Sequence, residues 1–204
     1  MAMKEFYLLF MTVLLMSSCA QMTRFETGKT VGENNIQLSG QVTAYGTQQY
    51  LETAIFQGSL EYGVMERMDL GVSISSALSV LANAKFQLVG NQESRFALSL
   101  NPALELQLDP FIGLHMRKHV YIPMSYELND RYTIIFEPRY NHAPQENTPH
   151  SVGGSSGVEI KMNGDWNLVI GGSLFMSPEF NEFRWTEFQF GLGAKKLFVR
   201  SGKD

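Results

Sequence analysis

Histidine beside serine is the combination in this chain that could do chemistry, because an imidazole can act as base to a hydroxyl nucleophile. The stretch "YNHAPQENTPHSVGGSSG" holds His142, His150, Ser151, Ser155 and Ser156. Its spacing argues against that use. His150 and Ser151 are adjacent, so in a strand they face opposite sides, and His142 is followed by Ala143 and Pro144. A polar, exposed loop explains these residues without catalysis, and no catalytic residue is assigned. Metal chemistry has no better basis, because four scattered histidines and one cysteine offer no ligand spacing. No Gly-rich phosphate cradle is present, and no cofactor is expected.

The solitary Cys19 closes the run "FYLLFMTVLLMSSCAQM". The apolar part is about half of what a membrane-spanning helix needs. With Lys4 before it and small residues after it, the run has the layout of a bacterial export signal. Met16-Ser17-Ser18-Cys19 resembles the lipobox of bacterial lipoproteins, which implies cleavage before Cys19 and lipidation of that residue. Ser18-Cys19-Ala20 also satisfies the small-x-small rule for ordinary cleavage after Ala20, and both cuts stay open. The expected division is a signal over 1–18, a polar periplasmic tether over 19–34 and one β-domain over 35–204.

The elements that would position any site are strands. "RFALSLNPALELQLD" places Phe96, Leu98, Leu100, Leu104, Leu106 and Leu108 on even positions, with polar residues on most odd ones. "MDLGVSISS" alternates in the same way. Period two over such lengths makes strands with one apolar face, and the first is longer than a soluble sheet ordinarily uses. About ten strands are expected, near 35–45, 54–64, 68–77, 83–89, 94–108, 118–128, 131–141, 152–162, 165–176 and 183–198. Pro102 either bends the fifth or divides it, so eight remains open. Tight turns such as Asn163-Gly164 alternate with longer connections.

That rhythm specifies an all-β, antiparallel, up-and-down transmembrane β-barrel with short turns in the periplasm and loops outside. Tyr62, Tyr126, Tyr132, Tyr140, Trp166, Phe183 and Trp185 lie near strand ends, where an amphipathic ring suits the headgroup level. "LEYGVMERMDLGVSIS", "AKFQLVG" and "YIPMSYELNDRYTIIFEPRYN" resemble the small outer-membrane β-barrel proteins of Gram-negative bacteria. The resemblance implies an outer-membrane location with outer-membrane lipid as the surroundings. The aromatic last strand, "WTEFQFGLGAKKLF", looks like a signal for the barrel-assembly machinery. Lipid A deacylases within such groups place His and Ser two apart on one strand face, and omptin-type proteases need paired Asp and an Asp-His pair. Neither pattern occurs here.

If apolar faces meet lipid, Glu61, Lys85, Arg95, Glu105, Glu127, Glu137, Arg139, Glu159, Lys161, Glu187 and Lys195 point into the lumen. Both signs are present. A narrow interior favours a paired polar filling over an open water path, since unpaired buried charge is costly. The formal net charge of −4 and the scattered basic residues exclude nucleic acid as an expected partner. The expected role is a non-enzymatic structural or surface-interaction protein, lipid-anchored through Cys19 with its amino terminus on the periplasmic side. A small pore, or a soluble lipid-binding β-sandwich on a tether, are the alternatives.

Overall fold

The computed structural model describes residues 25–46, 51–109, 113–144, 150–179 and 182–199. The expected export signal over 1–18 and Cys19 lie outside these residues, as do the side chains of Phe183 and Trp185.

Alternating residues build the wall. The strands are β1 (Ile36–Gly46), β2 (Leu51–Met65), β3 (Met68–Ser75), β4 (Ser79–Val89), β5 (Phe96–Asp109), β6 (Gly113–Tyr121), β7 (Met124–Glu127), β8 (Tyr132–His142), β9 (His150–Lys161), β10 (Trp166–Glu179) and β11 (Glu182–Phe198). All pairings are antiparallel between neighbours, and β1 pairs with β11 from Ile36↔Phe198 to Gly46↔Phe188, closing the sheet on itself. The segments β6 and β7 form one wall element, since both lie between β5 and β8. The result is a closed barrel of ten strands. It replaces the soluble-sandwich alternative and the eight-strand count.

Proline decides where the long strands break. β5 runs unbroken through Pro102, because the β4–β5 ladder skips that position while the β5–β6 side pairs Pro102 with Val120. The missing N–H therefore falls where no bond is asked of it. The interruption lies instead at Ile122-Pro123, where Pro123 offers only its carbonyl, which accepts from the Ser99 N–H at 2.9 Å. The connection expected over 78–82 is also shorter than anticipated, since β4 already begins at Ser79.

One parity governs the wall between its β-bulges. Among the described side chains, even-numbered strand residues face outward and odd-numbered ones inward, until a bulge flips the order and turns Met65 and Val89 outward. Leu70, Val72 and Ile74 on β3, Leu104, Leu106 and Leu108 on β5, and Phe188, Phe190 and Leu192 on β11 are all exposed on the outside. An apolar exterior on this scale would aggregate in water and is at home in hydrocarbon. Tyr62, Tyr126, Tyr132, Tyr140 and Trp166 are exposed near the ends of that wall.

Candidate lumen site

Burial in the lumen reaches polar side chains more than apolar ones: Glu61, Asp69, Lys85, Ser99, Asn101, Glu105, Gln107, Arg117, His119, Glu137, Arg139 and Asn141 are all buried. Lys85 stands among three acids. Its Nζ lies 3.4 Å from Glu61 Oε2, 3.4 Å from Asp69 Oδ2 and 3.5 Å from Glu26 Oε2. Nearer the loop end, His119 Nε2 meets Glu105 Oε2 at 2.9 Å and its Nδ1 meets Asn141 Oδ1 at 2.7 Å. Asn141 in turn donates to Ser151 Oγ at 3.0 Å. Arg139 donates to Glu137 at 3.0 Å while its guanidinium lies over the Tyr121 and Phe175 rings, 4.3 and 5.2 Å from their centroids. Lys195 donates to Glu159 at 2.8 Å.

The expected inward set is thus divided. Lys85, Glu105, Glu137, Arg139, Glu159, Glu61 and Lys195 take part in these contacts, and Glu187 lies on the inner side of β11. Arg95 and Lys161 do not join them. Arg95 is exposed in the β4–β5 turn just before the wall begins, and Lys161 is exposed at the last residue of β9. Parity reports which side a residue faces, and both residues sit at the margin of the wall. Asp69, Arg117 and His119 went unassigned although their odd positions place them inward.

A larger correction concerns the tether. Residues 25–34 are not a free linker; they run up the inside of the barrel. From the tight-turn end, the Asn34 N–H donates to the Gly63 carbonyl at 2.8 Å and the Val31 N–H to Asp69 Oδ2 at 3.0 Å. The Thr30 N–H donates to Gln87 Oε1 at 3.1 Å, and Lys29 Nζ contacts Glu127 at 2.5 Å. Gly28 then bridges β5 and β7: its N–H donates to Ser125 Oγ at 3.1 Å and its carbonyl accepts from Ser99 Oγ at 2.5 Å. Asn101 Nδ2 donates to Glu26 at 3.3 Å, and the Phe25 ring packs with Ile135 and Val169.

Glycines make room for this path. A Cβ on Gly171 or Gly191 would come within 2.7 or 2.6 Å of the Phe25 ring. A Cβ on Gly28 would collide with the backbone of Ala97. The space left between the segment and β1, β2 and β11 is about 20 Å³, room for roughly one water molecule. Gly28→Ala should therefore lower the urea midpoint by the equivalent of about 1–3 kcal/mol, the usual cost of overpacking a filled interior. An unchanged midpoint would mean that the segment does not depend on its seat against β5.

The histidines singled out for chemistry lie elsewhere. His142 and His150 pair across β8 and β9 on the outward face, with rings stacked 4.8 Å apart. The buried Ser151 and Ser155 face the lumen, on the other side of the wall. No group of three or more His, Cys, Asp or Glu suited to a metal occurs among the described residues.

No protein-family model matches the chain, and no curated protein matches its sequence. Its fold has structural neighbours among Gram-negative outer-membrane barrels. An outer membrane channel from Pseudomonas putida F1 superimposes with a TM-score of 0.51 at 9% identity, over 87% of this chain and 100% of that one. The NanC porin gives 0.48 at 8% identity over 78% and 98%, and the N-terminal β-barrel domain of Pseudomonas aeruginosa OprF gives 0.39 at 11% over 82% and 99%. At such identities the likeness is one of architecture.

Proposed function

We propose that the protein spans the outer membrane as a sealed, non-enzymatic barrel with a structural or surface-interaction role, its longer loops facing outward. The observation that carries this reading is the opposition of its two faces. The wall is apolar outside along every strand, and the interior is occupied by ion pairs and by the chain's own residues 25–34. Such an exterior calls for lipid as the surrounding partner, and an interior so occupied supports a sealed barrel over an open pore. Lipidation of Cys19 and insertion by the barrel-assembly machinery belong to the same proposal.

A hydrolytic role has little support. His119 has both ring nitrogens engaged by Glu105 and Asn141, and His142 and His150 are separated from the inward serines by the thickness of the sheet. His142→Ala should accordingly leave the barrel folded, with no lipid A deacylase or protease activity lost.

The test of the reading is membrane extraction of a Cys19→Ala variant exported by an ordinary signal peptide, together with planar-bilayer recording of the unaltered chain. Retention after alkaline washing, a mobility difference between unboiled and boiled samples, and no unitary conductance are expected. Release as a soluble protein would overturn the membrane-spanning reading, and a steady open conductance would favour the small-pore alternative.

A further inference from the structure

The outer wall is almost free of charge. Among the described outward-facing strand side chains, the only lysines or arginines are Lys118 and Lys196, no aspartate or glutamate is present, and the only histidines are His142 and His150. Lys196 sits near the tight-turn end, over the Trp166 and Phe198 rings at 5.3 and 4.8 Å. The other three are neighbours. Lys118 is the ladder partner of His142, and His142 is the ladder partner of His150, so β6, β8 and β9 present them side by side in a single row. With strands about 4.8 Å apart, that row is roughly 10 Å long.

Its immediate surroundings suit an amphiphile. Lys118 makes no ion pair or hydrogen bond with another described residue and is exposed. Tyr140 lies next to the row, and its hydroxyl is 2.7 Å from His150 Nδ1, which fixes the orientation of that imidazole. Val120 lies along the same strand toward the tight-turn end, and Leu104 pairs with Lys118 from β5. Donors gathered at one level with an apolar wall below them match a molecule that carries a phosphate above acyl chains.

We propose that Lys118, His142, His150 and Tyr140 form a docking site for the phosphate of an anionic lipid in the leaflet on the loop side. Lys118 supplies the fixed charge, the histidine pair supplies ring N–H donors along the same row with Tyr140 orienting His150, and the β5–β6 surface accepts a chain. This inference rests on the membrane-spanning reading above and adds a specific lipid contact to it.

The test uses the full chain folded in phosphatidylcholine vesicles, with and without lipid A as the phosphorylated lipid. The readout is the temperature at which the compact unboiled band is lost on a gel. Lipid A should raise that temperature in the native protein. Lys118→Gln should weaken the lipid dependence about fivefold, the size of effect one basic residue has near an anionic surface. The K118Q/H142N/H150N triple variant should weaken it further, and Lys196→Gln at the opposite rim should not. All of these positions face outward, so the variants should keep the compact band in phosphatidylcholine alone.

Equal responses of the native protein and the triple variant would overturn the site. Competition by inorganic phosphate as effective as lipid A would also overturn it, since the chain contact would then contribute nothing. Absence of a compact band in phosphatidylcholine alone is a different result, which would count against the barrel reading itself.

Discussion

Lys85→Met should be among the most destabilising single substitutions in this protein, by about 3–5 kcal/mol. The lysine is 2% exposed, and Glu26, Glu61 and Asp69 all lie within 3.5 Å of its Nζ. Methionine fills nearly the same volume, so the substitution isolates charge from packing. Three buried carboxylates would then each lose the ammonium they share. The urea midpoint of refolded protein should fall by the corresponding amount. Combining Lys85→Met with Glu61→Gln and Asp69→Asn should recover part of it, because the acids would no longer need a partner. If Lys85→Met unfolds at the native midpoint, the cluster contributes nothing net and the barrel is held by its ladders alone.

The second large effect concerns conductance. Deleting residues 25–31 should turn a silent protein into one with resolved unitary currents in a planar bilayer. Those residues supply Phe25 to the apolar contact with Ile135 and Val169, and Glu26 and Lys29 to ion pairs with Lys85 and Glu127. Their departure vacates the half of the lumen nearest the tight turns and leaves polar side chains to line it. Phe25→Ala, which keeps the backbone in place, should give brief and smaller openings. If the deletion variant gives the compact band but stays silent, then Tyr121, Arg139 and Phe175 close the other half by themselves.

Much of the wall was legible because strand periodicity is local. Phe96, Leu98 and Leu100 alternate with their neighbours whatever the rest of the chain does, and the outward exposure of Phe96 and Leu100 follows. The lumen was legible only in part. The same parity that placed Glu105 and Arg139 inward would have placed Asp69 and His119 there too, had it been applied to every odd position. Arg95 and Lys161 show what parity lacks: it gives side and not height, so a residue just before β5 and one on the last rung of β9 were counted with the middle of the wall.

Residues 25–34 were misread for a different reason. A polar segment without period is the ordinary signature of a linker in water. Inside a polar lumen the same composition is what packing requires, and its partners, from Gly63 to Val169, are far away along the chain. The available signal was weak: Phe25 and Val31 as isolated apolar residues, with Gly28 and Gly32 where bulk could not pass.

The position of this segment also orders events in time. It immediately precedes β1, and β1 forms the seam with β11 that closes the cylinder. Residues synthesised before every strand of the wall are therefore enclosed last, because the wall that surrounds them is incomplete until β11 arrives. An unsealed precursor would expose Lys85 and its acidic neighbours to water, where their mutual attraction is weak. Closure of the seam and capture of the segment should accordingly be a single cooperative step, and a chain that closes without its occupant would be trapped as a leaky cylinder that cannot readmit it.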